Sequence, residues 1–174
     1  MNYHNEIQVG DTAEQKFISL ALARGYQAVE SSFQQDVHQH IDVFLQKGGK
    51  TFSFDIKAMK KLNRHDESAQ DQYAFVELKN VRGNKGWLYG DAQFIVFERM
   101  NCFLVVQRKG LAEYCKTVIQ REYVYRPQDA LYKFYRRNGR NDLITMVDLD
   151  KIPNDIKFTW MGGGVGESQR AVTP

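Results

Sequence analysis

The sequence predicts an α/β fold, in which a helix is followed by the strands of a mixed central sheet. Apolar residues recur at helical spacing within 11–24, and the stretches after them alternate apolar and polar residues as strands do. Gly48 and Gly49 separate two of these strands, which is typical of a hairpin turn. The expected order at the start of the chain is therefore one helix and then three strands.

The first helix is expected over residues 11–24, with an apolar stripe from Ala13 to Ala21. Glu14 has two interpretations on this helix. Asp11 lies three residues before it, which is the spacing of a capping box at a helix N-terminus. Glu14 can therefore either complete that cap or supply a carboxylate to a functional site.

The next strands place three charged residues on polar faces. Asp42 lies opposite the apolar face of its strand, and Asp55 and Lys57 lie opposite the apolar face of the following one. Because strand side chains alternate, Asp55 and Lys57 project from the same face, about 7 Å apart. A hairpin at the two glycines would bring Asp42 beside Asp55. The three strands are expected at residues 26–30, 40–45 and 51–57.

The rest of the chain predicts more strands and a second amphipathic helix, Leu111–Ile119. We expect a single domain over residues 1–160 and a flexible, glycine-rich tail over 161–174. The later strands are expected at residues 73–79, 93–98, 102–107, 132–137 and 143–149.

The composition is that of an ordinary globular protein: 174 residues, 43% hydrophobic and 26% charged. No apolar run is long enough for a membrane span, and the N-terminus has no apolar signal segment. We therefore expect a cytoplasmic protein, of a cell or of a phage-infected host, with Cys102 and Cys115 as reduced thiols.

The net charge of +3 is too small to indicate a partner, but the basic residues are clustered. One cluster follows the third strand, and another lies near the predicted Asn138-Gly139 turn among several tyrosines. Such clusters suit a phosphate backbone with bases available for stacking, although a solvated basic face is the simpler alternative. The candidate DNA-binding residues are Lys60, Lys61, Arg64, Arg136, Arg137 and Arg140.

Asp42, Asp55 and Lys57 together have the chemistry needed to hydrolyse a phosphodiester. Two adjacent carboxylates repel each other unless a cation lies between them, and Mg²⁺ prefers oxygen ligands. A neighbouring lysine can orient or deprotonate a water molecule and stabilise charge on the attacked phosphate.

This pattern resembles the signature of the PD-(D/E)XK nuclease superfamily, the restriction-endonuclease-like enzymes. Asp42 lies thirteen residues before Asp55-Ile56-Lys57, and the order of helix and strands is the same. Residues 10–60 are most similar to archaeal-type Holliday junction resolvases and small phage nucleases. The resemblance implies Mg²⁺ or Mn²⁺ held by Asp42, Asp55, the Ile56 carbonyl and Glu14, with Lys57 serving the attacking water.

The sequence departs from the superfamily pattern in two places. Ile41 stands where the family has a proline before the first acid. A second match, Glu77-Leu78-Lys79, also lies on one strand face, and either it is the operative motif or it adds a carboxylate to the same site. His40 is expected to line the edge of the site, with transition-metal binding as the alternative.

The expected function is therefore a metal-dependent DNA endonuclease or nickase, acting on branched or structured DNA in recombination, repair or phage replication. A homodimer would allow two strands to be cut. The alternatives are a nucleic-acid-binding module on an inactive nuclease-like core, or an enzyme acting on another phosphate ester.

Overall fold

The computed structural model describes residues 3–162, with side chains from residue 12 onward. Within these residues the fold consists of two α-helices, several short helical turns and two sheets, so the predicted α/β class with a mixed central sheet is confirmed. The helices are α1 (Tyr3–Ala23) and α2 (Arg108–Val118). The strands are β1 (Gln27–Glu30), β2 (Val43–Lys47), β3 (Lys50–Lys57), β4 (Tyr73–Lys79), β5 (Phe94–Glu98), β6 (Cys102–Gln107), β7 (Gln120–Val124), β8 (Lys133–Tyr135), β9 (Leu143–Asp148) and β10 (Lys157–Met161).

The larger sheet has six strands in the order β1-β2-β3-β5-β6-β10. It is mixed because β3 and β5 are parallel, whereas its other neighbouring strands are antiparallel. The expected hairpin joins β2 to β3, with Lys47 opposite Lys50. Gly48 and Gly49 make its turn with φ values of 59° and 74°, a left-handed conformation that glycine adopts without strain.

One face of this sheet is covered by α1. Phe17 is fully buried there, with its ring 5.4 Å from the ring of Phe54 and stacked 5.2 Å from that of Trp160. The helix begins at Tyr3, so Asp11 lies inside it. The capping-box interpretation of Glu14 is therefore wrong, because the helix N-terminus is two turns earlier.

The opposite face of the sheet packs against α2 and the smaller, four-stranded sheet, β4-β9-β8-β7. Ile95 and Phe97 of β5 meet Leu111 of α2 and Val76 of β4 in one buried cluster. The chain thus leaves the larger sheet after β3, forms β4 in the smaller sheet, and returns to pair β5 with β3.

Three parts of the chain differ from the sequence-based expectation. The strand expected at 40–45 begins at Val43, because residues Gln35–Gln39 form a π-helical turn that ends at His40 in the left-handed region, with φ of 53°. Strands β7 and β10 were not expected. Met161 is the last residue of β10 and not part of a tail, and residues 163–174 of the predicted tail lie outside the described residues.

Within residues 3–162, no helix is long and apolar enough to cross a membrane. Cys102 and Cys115 are free thiols, as expected. The one-domain organisation of residues 1–160 stays a prediction.

Phe17→Ala should lower the free energy of unfolding by about 3–5 kcal/mol, because it leaves a cavity among packed rings. Leu22→Ala on the same helix is the matched control, since Leu22 is 53% exposed and its loss should cost less than about 1 kcal/mol. Urea unfolding of both variants measures the difference. Equal losses in the two variants would contradict the placement of α1 on the sheet.

Candidate active site

The β2–β3 hairpin sets the first part of the site. Its register pairs Val43 with Phe54, so Asp42 lies opposite Asp55 at the end of the ladder. The Asp42 amide donates a hydrogen bond of 2.9 Å to the Phe54 carbonyl. The two carboxylates therefore come from adjacent strands, on the side of the sheet that faces away from α1.

Asp42, Asp55 and Lys57 form one connected group. The Nζ atom of Lys57 lies 2.5 Å from Oδ1 of Asp55, and Asp55 is only 1% exposed. Oδ2 of Asp42 accepts a hydrogen bond of 2.6 Å from the Ile56 amide. The Asp42 carboxyl lies opposite the Asp55 carboxyl, so each acid influences the pKa of the other.

Burial and like charge disfavour two ionised carboxylates here. Burial, followed by the negative charge of Asp55, raises the pKa of Asp42 to about 6. Burial also raises the pKa of Asp55, against the opposing effect of the Lys57 ammonium. For Lys57, burial by itself lowers the pKa, but Asp55 and Asp42 outweigh it and leave the pKa above its usual value. The two acids and Lys57 are therefore electrostatically coupled, and a further cation would favour the ionised carboxylates.

The donor set fits a hard divalent cation. Oδ2 of Asp55 is buried and finds no hydrogen-bond donor among residues 12–162, so it is an orphaned oxygen beside a second carboxyl group. In a β-strand the N–H and C=O groups of one residue point to the same side. The Ile56 carbonyl is therefore directed to the side on which the Ile56 amide donates its hydrogen bond to Asp42. Where side chains are described, no three His, Cys, Asp or Glu residues are grouped to hold a metal. One or two carboxylates completed by water and phosphate oxygens are nevertheless usual for Mg²⁺.

Lys57 is held from two sides. Its ammonium lies between the Asp55 carboxylate and the ring of Trp87, whose centroid is 5.0 Å away. Trp87 is 8% exposed and belongs to the core between the two sheets, whereas the Lys57 side chain is 29% exposed. Lys57 is thus positioned by the core while part of its side chain remains exposed.

Asp36 is a candidate that the sequence did not suggest. It lies on the π-helical turn, and partial burial together with the charge of Asp42 raises its pKa, while Lys57 opposes the shift. Asp36 is therefore an additional acid at the edge of the site. A π-helical turn has no sequence pattern from which this placement could have been expected.

Glu77 and His40 border the same site. The Glu77 carboxylate interacts electrostatically with Lys57 and with His40, so β4 brings its acid to the site from the smaller sheet. Burial and the charge of Lys57 lower the pKa of His40. Lys79 is exposed, and a bulge interrupts the strand between it and Glu77. Lys79 thus does not repeat the Asp55–Lys57 arrangement.

Glu14 lies on α1, one residue after the buried Ala13, and its own side chain is half-buried. The helix packs against β3, the strand that carries Asp55 and Lys57. The role of Glu14 as a metal ligand stays a prediction.

The two basic clusters differ in how their charges are used. Lys60, Lys61 and Arg64 are exposed on the segment directly after β3. Near the β8–β9 turn, Arg137 pairs with the fully buried carboxylate of Asp142, so it contributes to the fold. The other residues of that cluster, Arg136 and Arg140, are exposed, and Arg136 stacks 5.0 Å from the Tyr123 ring.

Comparison with known proteins gives one similar structure to report. No protein-family model matches the chain, and no curated protein matches it. The solved structure of a bacterial homing endonuclease, I-Ssp6803I, is similar over 61% of this chain and 67% of that chain, with 20% sequence identity and a TM-score of 0.43. At that TM-score we draw no conclusion from the similarity.

Asp42→Asn should stabilise the protein more at neutral pH than in acid. The pKa of Asp42 is about 6 in the folded state and 3.8 in the reference state, so between these values the folded protein binds more protons than the unfolded chain. Stability from this group therefore falls as pH rises through that window. Asparagine keeps an acceptor for the Ile56 amide but carries no charge.

Urea unfolding at about pH 4 and about pH 7 measures the effect. The free energy of unfolding of Asp42→Asn, relative to that of the unaltered protein, should rise by on the order of 1–3 kcal/mol from the lower pH to the higher one. Asp155→Asn, which removes an exposed charge elsewhere, is the control. An Asp42→Asn effect that is the same at both pH values would contradict the raised pKa.

Proposed function

We propose that this protein is a metal-dependent DNA endonuclease or nickase with a PD-(D/E)XK site formed by Asp42, Asp55 and Lys57. The observation that carries the proposal is the orphaned, buried oxygen of Asp55, which lies beside the Asp42 carboxyl and on the same carboxylate as the Lys57 ion pair. A buried carboxylate oxygen without a donor is costly unless a cation compensates it. A purely structural ion pair would not need the second carboxylate.

Mg²⁺ or Mn²⁺ is the proposed cofactor. Asp42, Asp55 and the Ile56 carbonyl would hold it. Asp36 and Glu77 are candidates for a further ligand, and so is Glu14, which lies on the helix that covers the opposite face and would have to reach the ion past the end of the sheet. When bound, such an ion polarises the phosphate and lowers the pKa of a coordinated water.

The protein's own groups have distinct tasks in this proposal. Lys57, whose pKa is raised, remains protonated at neutral pH and donates to the phosphate oxygen on which negative charge develops. Asp55 and the Trp87 ring fix the position of that ammonium. The Ile56 amide fixes the orientation of the Asp42 carboxylate. Trp87 and the core behind it exclude water from one side of Lys57, which strengthens its charge interaction.

The proposed substrate is DNA, including branched or structured DNA of recombination, repair or phage replication. Three exposed basic residues follow the end of β3 at Lys57 and are the proposed contacts for the DNA phosphates: Lys60, Lys61 and Arg64. Cutting both strands needs two sites, which a homodimer would provide. A nucleic-acid-binding module with an inactive core is the alternative that the next experiment separates.

Asp55→Asn and Lys57→Met should each reduce cleavage of labelled DNA by at least about 100-fold, because each removes a charge at the reacting phosphate. Duplex, single-stranded and four-way-junction DNA are incubated with Mg²⁺, Mn²⁺ or EDTA, and products are separated on denaturing gels. Cleavage should require the metal.

Glu113→Gln and Lys50→Met are the matched controls, since both side chains are exposed, Glu113 lies on α2, and Lys50 lies at the opposite end of β3 from Lys57. They should cut like the unaltered protein. Tight binding without cleavage under every condition would refute the nuclease and favour the binding module. Cleavage of a generic phosphate ester that DNA does not compete with would favour a different phosphoesterase.

Single substitutions identify the acid that assists Asp42 and Asp55. The Mg²⁺ concentration that gives half-maximal cleavage is measured for Glu14→Gln, Asp36→Asn and Glu77→Gln. If the substituted residue is a metal ligand, that concentration should be about 10- to 100-fold higher than for the unaltered protein. If Glu77→Gln abolishes cleavage and Asp55→Asn does not, then Glu77-Leu78-Lys79 is the operative motif. No change in any of the three would mean that water completes the site.

A further inference from the structure

The segment after β4 forms a basic loop that projects from the edge of the candidate site. Between residues 79 and 86 it carries three basic residues, Lys79, Arg82 and Lys85, and no acid. All three side chains are exposed. None of the three makes an ion pair with any residue that the structure describes.

Asn80 holds the loop in one conformation. Its side-chain oxygen accepts hydrogen bonds of 3.0 Å from the amides of both Arg82 and Asn84. Its own amide donates to the Asn84 carbonyl, and its carbonyl accepts from the Gly83 amide, each at 2.9 Å. Gly83, with φ of 81°, makes the left-handed turn that these bonds require. A loop fixed in this way loses little conformational entropy when it binds a partner.

The loop is fastened to the site through Gly86. A Cβ atom at this glycine would lie 2.3 Å from the Glu77 carbonyl oxygen, so the returning chain passes directly against the residue whose carboxylate interacts with Lys57. The Gly86 amide donates a hydrogen bond of 3.0 Å to the Leu78 carbonyl. The backbones of Lys79 and Lys85 pair in an isolated antiparallel β-bridge. The two ends of the loop are therefore fixed against β4, the strand that carries Glu77.

The charges of this loop are more available than several of those near the β8–β9 turn. Arg137 pairs with Asp142, and the neighbouring Lys133 and Arg126 pair with Glu122 and Asp129, whereas Arg136 and Arg140 make no ion pair among residues 12–162. A cation that already has a carboxylate partner gains less from a phosphate than one that has none. We infer that the 79–85 loop binds the sugar–phosphate backbone of the DNA strand next to the phosphate at Asp42 and Asp55.

This inference rests on the proposed function, but binding tests it without cleavage. The dissociation constant of the full chain for a fluorescein-labelled DNA duplex is measured by anisotropy in EDTA over a series of KCl concentrations. Each cation that contacts a phosphate adds about 0.9 to the slope of log K against log salt. Arg82→Gln and Lys85→Gln should each lower the slope by about that amount, and the double variant by about twice as much.

Lys50→Gln is the matched control, because Lys50 is exposed at the opposite end of β3 from Lys57, about 23 Å along the strand. It should leave the slope unchanged. Asn80→Ala keeps all three charges but frees the loop, so it should weaken binding about 3- to 10-fold at one salt concentration. Melting temperatures of the Arg82→Gln, Lys85→Gln and Lys50→Gln variants should match that of the unaltered chain.

Phosphate-ethylation interference gives the position of the contact. Ethylation next to the cleaved phosphate should weaken binding of the unaltered chain, and this interference should disappear in the Arg82→Gln, Lys85→Gln variant. An unchanged slope in that variant, or no DNA binding by the unaltered chain, overturns the inference. If the slope falls as expected while no condition supports cleavage, the loop contact stands and the nuclease proposal fails.

Discussion

The burial of Asp55 is the constraint on which the rest of the site depends. β3 is a central strand of the larger sheet, and α1 covers one face of that sheet while α2 and the smaller sheet cover the other, so the central side chains of β3 are removed from water. A carboxylate in this position needs compensation, and Lys57 supplies it to one oxygen. The other oxygen is buried and finds no hydrogen-bond donor among residues 12–162, and a second acid, Asp42, lies opposite Asp55 on the adjacent strand. Charge imbalance of this kind is typical of sites that bind an ion or a charged substrate.

The path of the chain between β3 and β5 determines what surrounds that group. The excursion through β4 places Glu77 and the basic 79–85 loop on one side of Lys57, and the short turn that follows places Trp87 beneath it. The larger sheet thus carries Asp55 and Lys57, whereas the smaller sheet contributes Glu77, which lies next to them. Acidic residues lie at the centre and exposed cations lie around it, an arrangement that suits a phosphate bridging the two.

The central residues could be predicted from the sequence because local rules determine them. A glycine pair marks the hairpin, and alternation along β2 and β3 then places Asp42 opposite Asp55 and puts Lys57 on the same face. The surroundings depend on long-range packing that local patterns do not encode. Alternation identified β4 as a strand but not the sheet that it joins, and the turn carrying Asp36 has no periodic signature. The ion pair of Arg137 with Asp142 could not be predicted either, because two charged residues close in sequence near a turn do not indicate whether one of them is buried.

The separation of the two sheets has a consequence for local stability. β4 forms its ladder with β9, and no strand pairing joins the described strands of one sheet to those of the other. Side-chain packing around Val76, Trp87 and Phe97 therefore holds the two parts of the site together. Packing of this kind can open without breaking either ladder, so the sheets are able to behave as separate cooperative units.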